Sequence, residues 1–159
     1  MRAELINPFI ASLSNTFQTM LSCRVRRGEL SLKENRRSSH EISGVIGLTG
    51  KAVGTVILSL SREVALKAAS TLLLAEMTEI DADVLDAVGE LTNMVAGGAK
   101  AQLEVYELAV SLPNVITGKD HEVHFPSHVT PICIAFQTDW GPLALEVGLA
   151  PVPAACAAV

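Results

Sequence analysis

Aromatic residues are scarce in this 159-residue sequence, which contains one Trp, one Tyr and four Phe, or 4% of the chain. Because clefts that bind bases or sugars use aromatic rings as stacking platforms, this scarcity argues against a function of that kind. Apolar residues nevertheless make up 49% of the sequence. We therefore expect a core of Leu, Val, Ile and Ala in a single domain, residues 1–159.

Basic residues are the minority charge, with 12 Lys and Arg against 17 Asp and Glu, and the net charge is -5. That balance argues against nucleic acid as a partner and against a polybasic membrane anchor, since both need an excess of positive charge. Long apolar runs are missing as well. The apolar stretch 149–159 has only 11 residues and includes two prolines, so it is too short to span a bilayer.

Cysteine is also rare. Cys23, Cys133 and Cys156 are odd in number, far apart in the sequence and form no Cys-x-x-Cys pair. This pattern favours reduced thiols over a disulfide framework. The residues after Met1 show no apolar signal-peptide segment. We therefore expect a soluble protein of the cytoplasm.

Apolar residues at helical spacing predict three helices. The first is expected from Pro8 to Ser22, because Asn7-Pro8 combines a capping side chain with proline at the first helical position. Ser61 is expected to cap the second helix. The spacing of Thr78-Glu79-Ile80-Asp81 is that of a capping box, which would begin a long third helix ending near Leu103. The second helix should bury a stripe of apolar residues: Val64, Ala65, Ala68, Leu72 and Leu73.

Between the helices, β-branched residues bounded by turn residues predict strands. The expected strands cover residues 23–32, 42–48, 53–60, 107–112, 132–137 and 143–149, with another around His124. This order predicts an α+β fold of two layers, with long helices on one face of a largely antiparallel sheet. Residues 12–16 also resemble residues 90–94, which suggests a duplication of helix-plus-hairpin halves.

The third predicted helix carries the most specific pattern in the sequence. Residues three or four apart lie on one helical face, and here they form a polar stripe: Asp86, Glu90, Asn93, Gly97 and Lys100. Gly97 and Gly98 lie inside the helix, where each costs about 1 kcal/mol relative to Ala. Such a cost indicates close approach of another backbone or of a partner. Taken alone, a Glu-x-x-Asn pair would indicate only a solvated face.

The segment from Asp86 to Lys100 resembles the signature helix of the CheC/CheX chemotaxis phosphatases. The resemblance continues through residues 6–10, 42–48 and 111–118, and it is closest to the CheX branch. It implies a CheC-like fold and a phosphatase that hydrolyses the aspartyl phosphate of a CheY-type response regulator. Because members of this branch are dimers, the resemblance also implies a homodimer.

The same resemblance implies a role for each residue of the stripe. Asn93 would orient the attacking water, and Glu90 would pair with a lysine of the regulator. Asp86, Gly97 and Lys100 would belong to the partner-binding face. A neutral amide suits the first role, because it both donates and accepts hydrogen bonds without adding negative charge. The regulator would supply the Mg²⁺, so we expect this chain to need no cofactor and no metal ligands of its own.

The first predicted helix departs from the family members that have two sites. Pro8 and Ser12 stand where acidic residues would complete a second site. We therefore expect Asn15 to be a residue of the polar helix surface, together with Ser12 and Thr19.

Other functions stay open at this point. His121, His124 and His128 could supply metal ligands for a hydrolase of another class. A protein of this family could also bind a response regulator without catalysis. The segment Gly47–Ala52 superficially resembles a phosphate-binding loop but lacks its first glycine and its Ser or Thr, so we interpret it as a hairpin turn.

Overall fold

The computed structural model describes residues 3–153. The helices are α1 (Ala3–Leu21), α2 (Arg62–Leu73) and α3 (Ala82–Gln102), and a 3-10 turn, Glu104–Tyr106, follows α3. The strands are β1 (Arg26–Leu32), β2 (Ile42–Thr49), β3 (Ala52–Leu60), β4 (Ala109–Val110), β5 (Asn114–Thr117), β6 (Ile132–Thr138) and β7 (Gly141–Pro151). Within the described residues, no helix has the length and apolar character needed to cross a membrane.

The strands form one antiparallel sheet in the order β1-β6-β7-β3-β2-β4, and β5 also pairs with β2. Both predicted hairpins, β2–β3 and β6–β7, are confirmed. The order is symmetric about the central β3–β7 pair. Strand β1, from the first half of the chain, pairs with the β6–β7 hairpin of the second half. Strands β4 and β5, from the second half, pair with the β2–β3 hairpin of the first half. This exchange agrees with a duplication of helix-plus-hairpin halves.

The helices share one hydrophobic core with one face of the sheet, which confirms the predicted α+β, two-layer arrangement. Along β2, Ile42, Ile46 and Leu48 are buried in this core, as the two-residue period of a strand requires. Gly44 lies among them under α3, because a Cβ atom there would lie 1.9 Å from the Thr92 hydroxyl oxygen. The missing side chain therefore allows α3 to approach the sheet closely.

Helix α1 begins earlier than predicted. It starts at Ala3, so Pro8 lies inside the helix rather than at its first position. Leu5 and Ile6 are buried in the core. Their packing extends the helix toward the N-terminus and outweighs the backbone hydrogen bond that proline cannot donate.

The predicted cap of α2 is confirmed, whereas that of α3 is wrong by one turn. Ser61 caps α2 through its hydroxyl oxygen. At α3, the Asp81 carboxylate accepts a hydrogen bond from the Val84 N–H, so Asp81 rather than Thr78 is the N-cap. Leu73 was also expected in the buried stripe of α2, but it lies at the last helical position and is exposed.

The short strands before β6 differ most from the sequence expectation. The strand expected over residues 107–112 is reduced to β4, because the 3-10 turn ends in Glu107 with a left-handed backbone conformation. Strand β5 was not predicted. No strand forms around His124; nearby, Glu122 makes only an isolated bridge with Arg37.

Candidate functional site on helix α3

The polar stripe predicted for the third helix lies on the outer face of α3. Asp86, Glu90 and Lys100 are exposed, and Asn93 and Gly97 are half-buried. With a rise of about 1.5 Å per residue, the stripe extends roughly 21 Å along the helix. The opposite face packs into the core through a set of buried residues: Val88, Val95 and Ala99. The structure therefore brings all five predicted site residues together on one surface.

Helix α3 is held in place by a close contact with α1. A Cβ atom on Gly98 would lie 2.2 Å from the Ser12 hydroxyl oxygen. That hydroxyl donates a hydrogen bond of 2.7 Å to the Val95 carbonyl oxygen. Ser12 is therefore buried between the helices, and its predicted place on the polar surface of α1 is wrong. Gly98 allows the two backbones to meet.

The neighbouring glycine has different surroundings. A Cβ atom on Gly97 would meet no atom within 4 Å. Packing within the described residues therefore does not require glycine at this position. The free space above Gly97 lies on the same face as Asn93, where an approaching partner could use it.

A groove of about 550 Å³ runs beside the stripe. One wall is the face of α3 that carries Asn93, Gly97, Lys100 and Ala101. The other wall is formed by the residues that follow the helix: Glu104, Glu107, Leu108 and Val110. Sequence reasoning missed this second wall, because only the tertiary fold brings the turn after α3 back alongside the helix.

The second wall is fixed by the β2–β3 turn. The Lys51 N–H donates to the Tyr106 carbonyl oxygen over 2.8 Å. Gly50 has φ +146°, and a Cβ atom there would lie 2.5 Å from the Glu107 carbonyl oxygen. The segment Gly47–Ala52 therefore contains a hairpin turn, which confirms its interpretation from the sequence. This turn also supports the groove.

Acidic groups predominate around the groove and the stripe. Asp86, Glu90 and Glu104 are exposed carboxylates on this surface. Glu107 forms an exposed ion pair with Lys51, with 3.1 Å between the Nζ and Oε2 atoms, and such a pair contributes about 1 kcal/mol at most. The surface is suited to a partner that presents positive charge.

The other candidate residues of the sequence lie elsewhere. Asn15 is exposed on α1, where the Thr19 hydroxyl donates to the main-chain carbonyl oxygen of Asn15. His121 makes hydrogen bonds of 2.8 Å through both ring nitrogens, to Gly118 and to Ser43. Among residues 3–153, no group of three or more His, Cys, Asp or Glu side chains is arranged to hold a metal ion. Cys156 lies outside the described residues.

Comparisons with known proteins assign this arrangement to one family. The family model described as chemotaxis phosphatase CheX matches residues 42–137. The CheY-P phosphatase CheX of Thermotoga maritima is 33% identical over 126 residues, which cover 77% of this chain and 81% of that protein.

Solved structures show the same fold. A CheC-like superfamily protein from Shewanella sp. PV-4 is 32% identical, with a TM-score of 0.86 over 94% of this chain and 99% of that chain. CheX from Borrelia burgdorferi, crystallised with CheY, BeF3 and Mg²⁺, is 22% identical, with a TM-score of 0.77 over 93% of this chain and 99% of that chain.

Proposed function

Because this chain belongs to the CheX family of chemotaxis phosphatases, we propose that it dephosphorylates the aspartyl phosphate of a CheY-type response regulator. The Thermotoga maritima relative, which is named as a CheY-P phosphatase, supports this substrate class. The observation that carries the proposal is the placement of Asn93 and Glu90 on one exposed face of α3. This face is open to a macromolecular substrate.

Asn93 is the residue that we assign to the reaction itself. In the reaction a water oxygen attacks phosphorus, the bond from phosphorus to the aspartate oxygen breaks, and inorganic phosphate and a free carboxylate result. The carboxamide oxygen of Asn93 can accept a hydrogen bond from that water and fix its direction of attack. Positioning of this kind supplies much of the catalysis in phosphoryl transfer, because the transition state needs little covalent help.

Glu90 and Asp86 are assigned to the partner. Glu90 lies one helical turn before Asn93, about 4.5 Å away along the axis, so both side chains can enter one active site together. An exposed carboxylate can accept hydrogen bonds from a lysine ammonium group, and such a pair gains strength when docking removes it from water. Asp86 lies one turn before Glu90, toward the N-terminus of α3, and Lys100 lies at the other end of the stripe. Both would contact the rim of the partner's site.

Magnesium is assigned to the regulator in this proposal. The Borrelia burgdorferi CheX, which shares the fold, was crystallised together with CheY, BeF3 and Mg²⁺. The carboxylates of the stripe are then free to bind the partner. The cation would neutralise charge on the phosphoryl group while Asn93 positions the water.

We also assign a homodimer to this chain, in keeping with its family branch. Strand β1 is an edge strand whose seven residues are all exposed. Leu30 and Leu32 lie opposite Ile134 and Ile132, which are buried in the core. The two leucines therefore extend the apolar face beyond the sheet edge, where a second copy could cover them. Sedimentation velocity tests this assignment directly.

The proposed activity can be tested by following the decay of a phosphorylated CheY-type regulator in the presence of Mg²⁺, with and without this protein. We expect catalytic amounts of the protein to accelerate the release of inorganic phosphate. If the protein binds the phosphorylated regulator but leaves its lifetime unchanged, it is a binding module and the proposed activity is wrong.

A further inference from the structure

Two exposed apolar side chains lie in the segment that follows α3. The large apolar residues that are exposed among residues 3–153 are Met20, Leu30, Leu32, Leu73, Leu74, Val105 and Leu112. Of these, Leu112 is 87% exposed and Val105 is 76% exposed; Val105 lies in the 3-10 turn after α3, and Leu112 lies between β4 and β5. A single exposed leucine is ordinary on a protein surface, so the position of these two residues must carry the argument.

Leu112 is held beside the N-terminal part of the stripe. The adjacent Pro113 packs against α3, since its Cγ atom would lie 3.5 Å from a Cβ atom on Gly89. The adjacent Ser111 exchanges two hydrogen bonds of 2.9 Å with Gly47 in β2. Both neighbours of Leu112 are therefore fixed, and Leu112 itself is exposed next to the residue that contacts α3 at Gly89.

Val105 lies beyond the C-terminal end of α3, next to the groove but not among the residues that line it. It belongs to the 3-10 turn that follows α3. Its neighbour Glu104 lines the groove. The carbonyl oxygen of its other neighbour, Tyr106, accepts a hydrogen bond from the Lys51 N–H in the β2–β3 turn. Along the helix axis, Asn93 therefore lies between Leu112 and Val105.

We propose that Leu112 and Val105 are apolar anchors for the phosphorylated CheY-type regulator, one at each end of the surface that contains Asn93. This inference rests on the proposed function and commits to that partner. Val105 lies within the segment that forms the second wall of the groove and Leu112 follows that segment by two residues, and the carboxylates of the stripe suit a partner with a lysine at its active site. Burial of exposed apolar side chains against a partner is favourable because it removes apolar surface from water.

The anchors should act on binding and leave the chemistry alone. Neither side chain lies on the face of α3 with Asn93, so each would contact the regulator away from the reacting atoms. Contacts that bind the ground state and the transition state equally lower KM without raising kcat. Removal of an anchor should therefore raise KM and leave kcat unchanged.

The test compares Leu112→Ala and Val105→Ala with Leu74→Ala, a control on a leucine that is 92% exposed at the end of α2. Rates of phosphate release are measured against the concentration of phosphorylated regulator. We expect KM to rise roughly threefold to tenfold in each anchor variant, with kcat within twofold of wild type. The Leu74→Ala protein should match wild type in both constants. Because all three side chains are exposed, equal melting temperatures should accompany these results.

Two outcomes distinguish the inference from the function on which it rests. If wild type accelerates phosphate release and both anchor variants keep its KM, the anchors are wrong and the activity stands. If wild type gives no acceleration, the proposed function is wrong and the anchors with it. A fall in kcat at unchanged KM would also overturn the docking role.

Discussion

At the residue scale, the candidate site depends on two adjacent glycines of α3, Gly97 and Gly98, which have different surroundings. The sequence could predict that Glu90, Asn93 and Gly97 share a face, because that spacing is a property of any helix. It could not distinguish Gly97 from Gly98. Only the fold shows that Gly98 meets Ser12 on α1, whereas Gly97 faces open space.

Glu90 provides the prediction at this scale. Glu90→Gln keeps the shape of the side chain but removes the charge that would pair with the regulator's lysine. We expect kcat/KM to fall about tenfold at low salt, because a charge-assisted hydrogen bond becomes a neutral one. Rates of phosphate release over a range of ionic strength would measure this loss, which should shrink as salt screens the pair.

The matched control is Glu63→Gln, which removes an exposed carboxylate from the first turn of α2. It should leave kcat/KM unchanged at every salt concentration. Equal losses in the two variants would mean that net charge, rather than Glu90, governs the encounter.

At the scale of elements, periodicity predicted the helices and both hairpins, because those patterns are local. The start of α1 was missed, since the burial of Leu5 and Ile6 outweighs the signal of Pro8. The second wall of the groove was missed for a similar reason. It is an irregular segment, and its course depends on a hydrogen bond from the distant β2–β3 turn.

The two glycines of α3 provide a prediction about packing. Alanine at either position should gain about 1 kcal/mol of helix propensity. At Gly98 this gain is offset, because the new methyl group displaces the Ser12 hydroxyl and weakens its hydrogen bond to the Val95 carbonyl oxygen. We therefore expect the free energy of unfolding in urea to be higher for Gly97→Ala than for Gly98→Ala, by about 1–2 kcal/mol.

The same pair of variants separates stability from function. Gly97→Ala places a methyl group in the groove, so it should be the more stable variant and yet release phosphate from the regulator more slowly than wild type. Equal unfolding free energies for the two variants would contradict the described contact between α1 and α3.

At the scale of the whole molecule, the sequence suggested two similar halves, and the sheet shows how they combine. The edge strand of each half pairs with the hairpin of the other half. A local pattern could not predict this exchange, because it is decided by pairing between segments that are distant in sequence. The exchange leaves β1 at an edge, with Leu30 and Leu32 uncovered.

The exposed edge leads to a prediction about assembly. Light scattering should give a mass near twice the 16.8 kDa of one chain. Leu32→Lys should shift the protein toward the monomer, because charges on an edge strand oppose pairing. Leu74→Lys, which changes the exposed leucine directly after α2, should remain dimeric. A monomeric wild type would contradict the assigned homodimer.

The central claim is that Asn93, and no other amide of the helices, orients the attacking water. The most direct measurement is the decay rate of a phosphorylated CheY-type regulator with Mg²⁺ in the presence of Asn93→Ala, with Asn15→Ala on α1 as the matched control. We predict that Asn93→Ala loses about 100-fold or more of the acceleration, while Asn15→Ala retains it. A wild-type decay rate with Asn93→Ala would contradict the account.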